Sequence, residues 1–202
     1  MKKFILLCIC SLIFFTACGQ GDNGTIKEEV KESYSSNEEI WNISTQVMHA
    51  LKDKDMSKIA DFVHPTKGLL LSPDAFIQDE TVQVLTKEMI INFFEDENLY
   101  TWGYEDGSGD PMELTKKAYY ERWMYDKDFI NADQIGINTM IGQGNSTSSI
   151  EKISPKASFV AYHFKGFDKN VGGLDWESIY LVFEKYENQW YLVGIVHDHW
   201  TI

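Results

Sequence analysis

The chain has 202 residues and a net charge of −13. This acidic balance argues against a nucleic-acid-binding protein and against adsorption to anionic lipid, because both require an excess of Lys and Arg. Hydrophobic residues make up 44% of the chain and aromatic residues 14%, which argues against a disordered main body and is enough to fill the core of one ordinary domain.

The first residues are predicted to be an export signal and not part of the fold. Two lysines precede an apolar run at 4–15 that is too short to span a bilayer comfortably, and small residues follow it. The sequence FTAC at 15–18 resembles the lipobox of bacterial lipoproteins, with Phe in place of the usual Leu. The resemblance implies a lipoprotein signal peptide at 1–17 and a lipid such as palmitate on Cys18, the first mature residue. An ordinary secretion signal is the alternative.

The lipobox implies that the protein is held by its lipid on the extracytoplasmic face of the cell membrane. The cysteines are Cys8, Cys10 and Cys18, so cleavage before Cys18 leaves one thiol, which the lipid would consume. The exported domain therefore has no internal disulfide and depends on its core. Gly, Ser, Asn and charged residues dominate the segment that follows, which predicts a flexible tether at 18–37 and a single globular domain at 38–202.

Two helices are predicted at the start of the domain. Ser36 and Glu39 form a capping box, and apolar residues then recur at helical spacing: Ile40, Ile43, Val47 and Leu51. Asp55 is the predicted N-cap of a shorter second helix, which ends at His64 because Pro65 follows.

The middle of the chain gives weaker patterns. The apolar run at 66–72 predicts a short buried strand. Three glycines, a proline and several acids predict a loop at 100–112. An aromatic stripe predicts a helix at 114–131.

The C-terminal part predicts three antiparallel strands. A strand at 159–165 precedes two strands at 176–185 and 190–201, which are joined by a tight turn at 186–189. All three are dense in β-branched and aromatic residues.

This order predicts an α+β fold, with N-terminal helices packed on a curved, mainly antiparallel sheet that ends in a three-stranded meander. The order, together with the closing strand NQWYLVGI at 188–195, resembles the nuclear transport factor 2-like superfamily, the α+β cone. The resemblance covers 38–63 and 158–202 best. It implies a pocket between sheet and helices but names no reaction. The lipobox, tether and domain together resemble uncharacterised small lipoproteins of Gram-positive bacteria.

Strand alternation gives a candidate metal site at the end of the chain. His197 and His199 fall on one face, grouped with Tyr191, Val193 and Ile195, and two imidazoles at this spacing can share a zinc ion. The third ligand would come from His163, His64 or a carboxylate such as Asp175 or Glu177. The alternative is that both histidines merely sit at the fraying end of a strand.

A second candidate site is an aromatic pocket with a few polar groups. Its predicted ligand-binding residues are His64, Trp102, Tyr104, Trp123, Asp175, Trp176, Tyr180 and Trp200. Ordinary core packing is the competing explanation for each tryptophan. The chain has no Gly-x-Ser-x-Gly sequence and no phosphate loop.

These patterns favour a non-catalytic binding or accessory lipoprotein without a cofactor, whose pocket takes a small ligand or a cell-envelope component. The alternative is a zinc-dependent hydrolase that uses the His-x-His pair. A purely structural partner of another envelope protein is a third possibility.

Overall fold

The structure is a computed structural model that describes residues 23–142, 144–145 and 147–201, with side chains from residue 36 onward. The signal peptide predicted at 1–17 and the lipidation site Cys18 lie outside the described residues. Within them, no helix is both long enough and apolar enough to cross a bilayer.

Helix α1 runs from Asn23 to Lys52, so the flexible tether predicted at 18–37 is wrong from Asn23 onward. Five of the six residues at 27–32 are Lys or Glu, and both favour helix. Extending an existing helix also avoids the cost of nucleating a new one. Farther along, the predicted apolar stripe faces the core, with Ile40, Val47 and Leu51 fully buried.

Helix α2 (Met56–Phe62) begins after Asp55 as predicted and ends two residues before the predicted end at His64. The Asp55 carboxylate accepts a hydrogen bond from the Lys58 backbone N–H at 2.9 Å, which caps the helix. Just beyond the helix, the His64 backbone N–H donates to the carbonyl of Leu192 at 3.0 Å. This bond ties the helical layer to the last strand of the sheet.

Six strands form the main sheet, and its α+β class with mainly antiparallel pairing confirms the coarse prediction. Their bounds are β1 Leu69–Ser72, β2 Gln83–Leu85, β5 Gln134–Ile137, β6 Ser158–Phe164, β7 Glu177–Tyr186 and β8 Gln189–His199. The spatial order is β2-β1-β8-β7-β6-β5, and only the β1–β8 pair in it is parallel. The β7–β8 turn has positive φ at Glu187 and Asn188, which matches the twist of a two-residue hairpin.

A β-bulge at Val193 changes which residues of β8 share a face. Phe183 pairs with Leu192, but the preceding Val182 pairs with Gly194, so Val193 is the extra residue. Leu192 and Ile195 therefore both face the helices, whereas Val193 and Val196 face the opposite side. The predicted grouping of Val193 with Ile195 is wrong for this reason. The prediction that His197 and His199 lie on one face is confirmed, since their ring centroids are 5.5 Å apart.

The middle segment forms a hairpin where a loop is predicted. Strands β3 (Tyr100–Tyr104) and β4 (Pro111–Leu114) pair antiparallel. Trp102 holds this hairpin because it stacks on Tyr119 at 3.8 Å between ring centroids and donates to the Leu114 carbonyl at 3.0 Å. The burial of Trp102 thus favours a hairpin, although the glycine-rich composition predicts a loop.

The helix predicted at 114–131 is shorter in the structure. Helix α3 (Lys87–Ile91) precedes the hairpin, and helix α4 (Lys116–Tyr119) follows it. A π-helical turn at 120–124 continues α4, and the chain leaves the helix at Tyr125. The Tyr120 hydroxyl donates to the Leu51 carbonyl of α1, which fixes the turn against the first helix.

Both faces of the sheet are covered. The face toward α1, α2 and α4 carries the larger core, and residues of 141–157 pack over the other face around Tyr180 and Val196. The Tyr180 hydroxyl donates to the Ile141 carbonyl at 2.9 Å, so this covering segment is hydrogen-bonded to the sheet.

Truncating Leu192 tests the packing between β8 and the helices. Leu192 is fully buried and Leu174 is half exposed. We expect Leu192→Ala to lower the free energy of unfolding by about 3 kcal/mol, because it removes a buried side chain and leaves a cavity. The matched Leu174→Ala change should cost less than about 1 kcal/mol. Urea denaturation of both variants measures the difference, and equal losses would contradict the packing described.

Candidate functional site

A cleft of about 280 Å³ opens at the C-terminal end of β8. Its walls come from three places: the 74–78 segment after β1, the β3–β4 hairpin, and the π-helical turn after α4. The aromatic side chains in its lining are Phe76, Tyr104 and Trp123. The charged side chains in its lining are Asp74, Glu105, Asp106 and Arg122. His199 also lines the cleft.

Arg122 fixes one wall of this cleft. Its guanidinium makes a bidentate pair with Glu105, with both N···O distances at 2.8 Å. It also lies over the Trp123 ring at 4.7 Å. The indole N–H of Trp123 points to the Met112 sulfur at 3.0 Å. The planar groups of Arg122 and Trp123 are therefore held in place before any ligand arrives.

His199 and Asp74 lie next to each other in the lining of the cleft. The distance from His199 Nδ1 to Asp74 Oδ1 is 3.9 Å. Burial lowers the pKa of His199 to about 4, and the nearby charge of His197 acts in the same direction. Burial raises the pKa of Asp74, and the negative charges of Asp106 and Glu105 add to this effect while His197 opposes it. At neutral pH His199 is thus an uncharged imidazole.

A second polar cluster lies behind Trp123. The indole ring contacts both His197 and His199, at 5.1 and 4.9 Å between centroids. His197 Nε2 is 3.5 Å from Asp126 Oδ1 and 3.7 Å from Glu177 Oε2. Lys127 Nζ contacts the other oxygen of each carboxylate, at 2.8 Å for Asp126 Oδ2 and 2.9 Å for Glu177 Oε1.

The charges in this cluster stabilise one another. Burial alone would lower the pKa of His197, but Asp126 and Glu177 outweigh it and raise this pKa to about 9. Burial alone would raise the pKa of Asp126, but His197 and the neighbouring groups bring it well below the usual range. Lys127 likewise has a raised pKa, because the two carboxylates outweigh its burial.

The predicted metal site is only partly reproduced. Among the described residues, a group of three potential ligands forms from Asp126, Glu177 and His197, with donor atoms within 4.8 Å of one another. Glu177 was one of the predicted third ligands. His199 is not in this group and faces Asp74, and Asp126 has no place in the sequence-based prediction. His163 instead pairs its Nδ1 with the Ser178 hydroxyl at 2.8 Å.

The predicted aromatic pocket does not form as one site. Tyr104 and Trp123 line the cleft, but Trp102 is a core residue stacked on Tyr119. Trp176 and Tyr180 are buried. Trp176 packs against His163 at 5.8 Å, and Tyr180 belongs to the core on the far face.

The remaining predicted ligand-binding residues also have structural roles or lie apart. Asp175 accepts backbone hydrogen bonds from Phe167 and Asp168 at 2.8 and 2.6 Å. His64 lines a separate cleft beside α3, where its Nδ1 accepts from the backbone of Lys67 at 3.1 Å. Trp200 is partly exposed and is not among the residues that line the cleft of His199.

No sequence pattern points to Asp74, Arg122 or Asp126 as site residues. Asp74 follows a buried strand that ends beside β8, so the parallel β1–β8 pairing is what brings it to His199. Asp126 follows the π-helical turn, and a sequence pattern for a continuous helix hides the change of direction at Tyr125.

No protein-family model matches the chain. No curated protein is similar to it in sequence. Among solved structures, a DUF4783 family protein from Bacteroides ovatus is 11% identical, with 76% of this chain and 92% of that chain covered and a TM-score of 0.27. A putative calcium/calmodulin dependent protein kinase II association domain from Xanthomonas campestris is 14% identical, with 86% of each chain covered and a TM-score of 0.27. Similarity at this level carries no argument about fold or function.

Lowering the pH should destabilise the wild type relative to a His199→Gln variant. An unfolded histidine titrates near pH 6.5, whereas His199 in the fold has a pKa of about 4. Between these values the unfolded chain binds the proton and the folded chain does not. The stability that the lowered pKa of His199 gives the fold is therefore fully present above about pH 6.5 and is lost as the pH falls toward 4.

Urea denaturation of both proteins at about pH 7 and about pH 5 measures this effect. We expect the difference in unfolding free energy, wild type minus variant, to shrink by on the order of 2 kcal/mol. Comparing the two proteins at each pH cancels shared titrations such as that of Asp198, whose pKa burial raises to about 7. A difference that does not change with pH would contradict the burial of His199.

Proposed function

We propose that this chain is a lipid-anchored, extracytoplasmic binding protein, and that the cleft at the end of β8 holds a small cationic ligand. One observation supports this above all: the cleft combines three aromatic side chains with three carboxylates and one guanidinium. With His199 neutral, the lining carries a net charge of −2. An organic cation suits such a lining, because carboxylates and aromatic faces both attract it.

The size of the cleft narrows the ligand class. A volume of about 280 Å³ is at the lower end of the range for small-molecule sites. It suits a ligand about as large as an amino acid, with an amine or guanidinium group near Asp74 and an apolar body against Phe76 and Trp123. Arg122 is occupied by Glu105, so it does not cancel the charge of Asp74.

The placement outside the cell and the finer fold type belong to the same proposal. The FTAC sequence at 15–18 supports lipid attachment at Cys18 and anchoring to the cell membrane. Helices on one face of the sheet and a bulge in its longest strand support a curved, cone-like arrangement of the nuclear transport factor 2-like kind. In such an arrangement the cleft would be the opening between the sheet and the helical layer.

The cleft should prefer cationic probes, and Asp74 should carry most of that preference. Titration calorimetry with arginine amide and with choline should show binding, whereas N-acetylglutamate should not bind. We expect Asp74→Asn to weaken arginine amide binding at least about tenfold, because a charge-assisted hydrogen bond contributes roughly 1.5–3 kcal/mol. Affinity should also fall as the pH is lowered, since protonation removes the charge of Asp74.

Asp61→Asn is the matched control, because Asp61 is exposed on α2 and lies outside the cleft. It should bind arginine amide like the wild type. Equal binding of the anionic and cationic probes, or full affinity in Asp74→Asn, would refute the cationic-ligand proposal.

Lipid attachment can be tested without reference to the ligand. Cys18→Ala removes the thiol that the lipid would modify, so the variant should lose membrane attachment or accumulate as an unprocessed precursor. Membrane fractionation with detection of the labelled lipid measures this, and a Cys10→Ala variant is the control. Unchanged membrane retention of Cys18→Ala would overturn the lipoprotein proposal.

The alternative of a zinc-dependent hydrolase that uses His197 and His199 has less support. The two imidazoles share a face, but the ligand-forming atoms gather around His197 and two carboxylates. His199 lies beside Asp74 in the lining of the cleft. A loss of bound metal in both His197→Gln and His199→Gln would favour the hydrolase.

A further inference from the structure

The cluster behind Trp123 joins three distant parts of the chain. Asp126 follows the π-helical turn, Glu177 begins β7, and His197 lies near the end of β8. The β7–β8 register pairs Ile179 with His197. Glu177 is therefore the diagonal neighbour of His197 on the same sheet face, where it meets the Asp126 carboxylate from the helical layer.

Each carboxylate uses only one of its oxygens within the cluster. Lys127 holds Asp126 Oδ2 and Glu177 Oε1. The other two oxygens, Asp126 Oδ1 and Glu177 Oε2, are buried and have no hydrogen-bond partner among the described residues. Nε2 of His197, a side chain that is 2% exposed, points between these two oxygens and also lacks a partner. Buried polar atoms without partners are costly and rare in folded proteins.

The two distances from His197 Nε2 to the carboxylate oxygens are longer than hydrogen bonds. His197 Nε2 lies 3.5 and 3.7 Å from the two oxygens, whereas N–H···O bonds are about 2.7–3.2 Å long. Two donors that each bind one ion at about 2.1 Å, in tetrahedral or trigonal geometry, are roughly 3.4–3.6 Å apart. The two separations from His197 Nε2 are therefore close to those of ligands that share an ion, and all three atoms lie within 4.8 Å of one another.

We propose that Asp126 Oδ1, Glu177 Oε2 and His197 Nε2 bind one divalent transition-metal ion of the zinc type. One imidazole and two carboxylates are a common donor set for such ions, whereas Ca²⁺ and Mg²⁺ prefer oxygen ligands alone. Lys127 orients both carboxylates through their outer oxygens, as outer-sphere partners do in metal sites. This site is separate from the cleft ligand, since its donors lie behind Trp123 and do not line the cleft.

Zinc binding to the full-length protein, purified in detergent without chelator, tests the proposal. We expect elemental analysis and titration with Zn²⁺ alone to give about one ion per chain, with no competition from Mg²⁺. Asp126→Asn and Glu177→Gln keep the shape of the side chain but remove its charge. Each should weaken Zn²⁺ binding at least about tenfold. A thermal unfolding curve of each variant without metal checks that it folds.

Two matched variants control for a general loss of charge or of imidazole. Asp128→Asn changes an acid only two residues away, whose carboxylate pairs with Lys52, and His199→Gln removes the other histidine. Both should bind Zn²⁺ like the wild type. Should Asp126→Asn fail to fold, Glu177→Gln and the absorption spectrum of Co²⁺ bound to the wild type decide the question.

Three results would overturn the proposal. If the wild type bound no stoichiometric Zn²⁺, the cluster would be a closed network of ion pairs and not a metal site. Unchanged affinity in folded Asp126→Asn and Glu177→Gln would exclude the two carboxylates as ligands. Loss of Zn²⁺ in His199→Gln alone would move the site to the cleft. None of these readouts depends on the cleft ligand, so the two proposals can fail separately.

Discussion

The pairing of β7 with β8, interrupted by the bulge at Val193, decides how the two histidines are used. If β8 alternated without interruption, Leu192 and Ile195 would lie on opposite faces, because a residue's face changes at each step along a strand. The bulge puts both under the helical layer, and the same shift places His197 and His199 there too. Without it, the end of the strand would turn its histidines toward the 141–157 segment.

Trp123 separates two environments of opposite electrostatic character. On one side, burial and the nearby charge of His197 lower the pKa of His199 and keep it neutral despite the acids beside it, and the side chain lines the cleft. On the other side, Asp126 and Glu177 surround His197 and favour its charged form. Two histidines only two residues apart thus have pKa values shifted in opposite directions, because their neighbours come from different elements of the fold.

The buried cluster around His197 also shows why a metal and a network of ion pairs compete for the same residues. Lys127 partly compensates the two carboxylates by holding one oxygen of each, and the remaining oxygens face the imidazole. In that geometry either a proton or a divalent ion on His197 Nε2 would offset the negative charge. Only the two oxygens that face His197, Asp126 Oδ1 and Glu177 Oε2, would contact that proton or ion. Replacing either carboxylate by a carboxamide therefore distinguishes a metal site from a network of ion pairs.

The sequence by itself determined the elements whose cause is local. The capping aspartate Asp55, the apolar stripe of Ile40 and Val47, and the strands of the closing meander all follow from spacing and residue type. The chain pattern also placed His197 and His199 on one face. Local patterns did not reveal the hairpin around Trp102 or the bulge at Val193, because burial against distant side chains produces both.

The tertiary structure alone decided which polar groups meet. Asp74 reaches His199 only because β1 runs parallel beside β8, and Asp126 reaches His197 only because the chain leaves its helix at Tyr125. Trp102 and Tyr180 look like pocket residues in the sequence but fill the two cores, and Trp176 is buried against His163. A single sequence states the chemistry of each side chain, but the distance between two of them depends on strand order and register, which long-range packing sets.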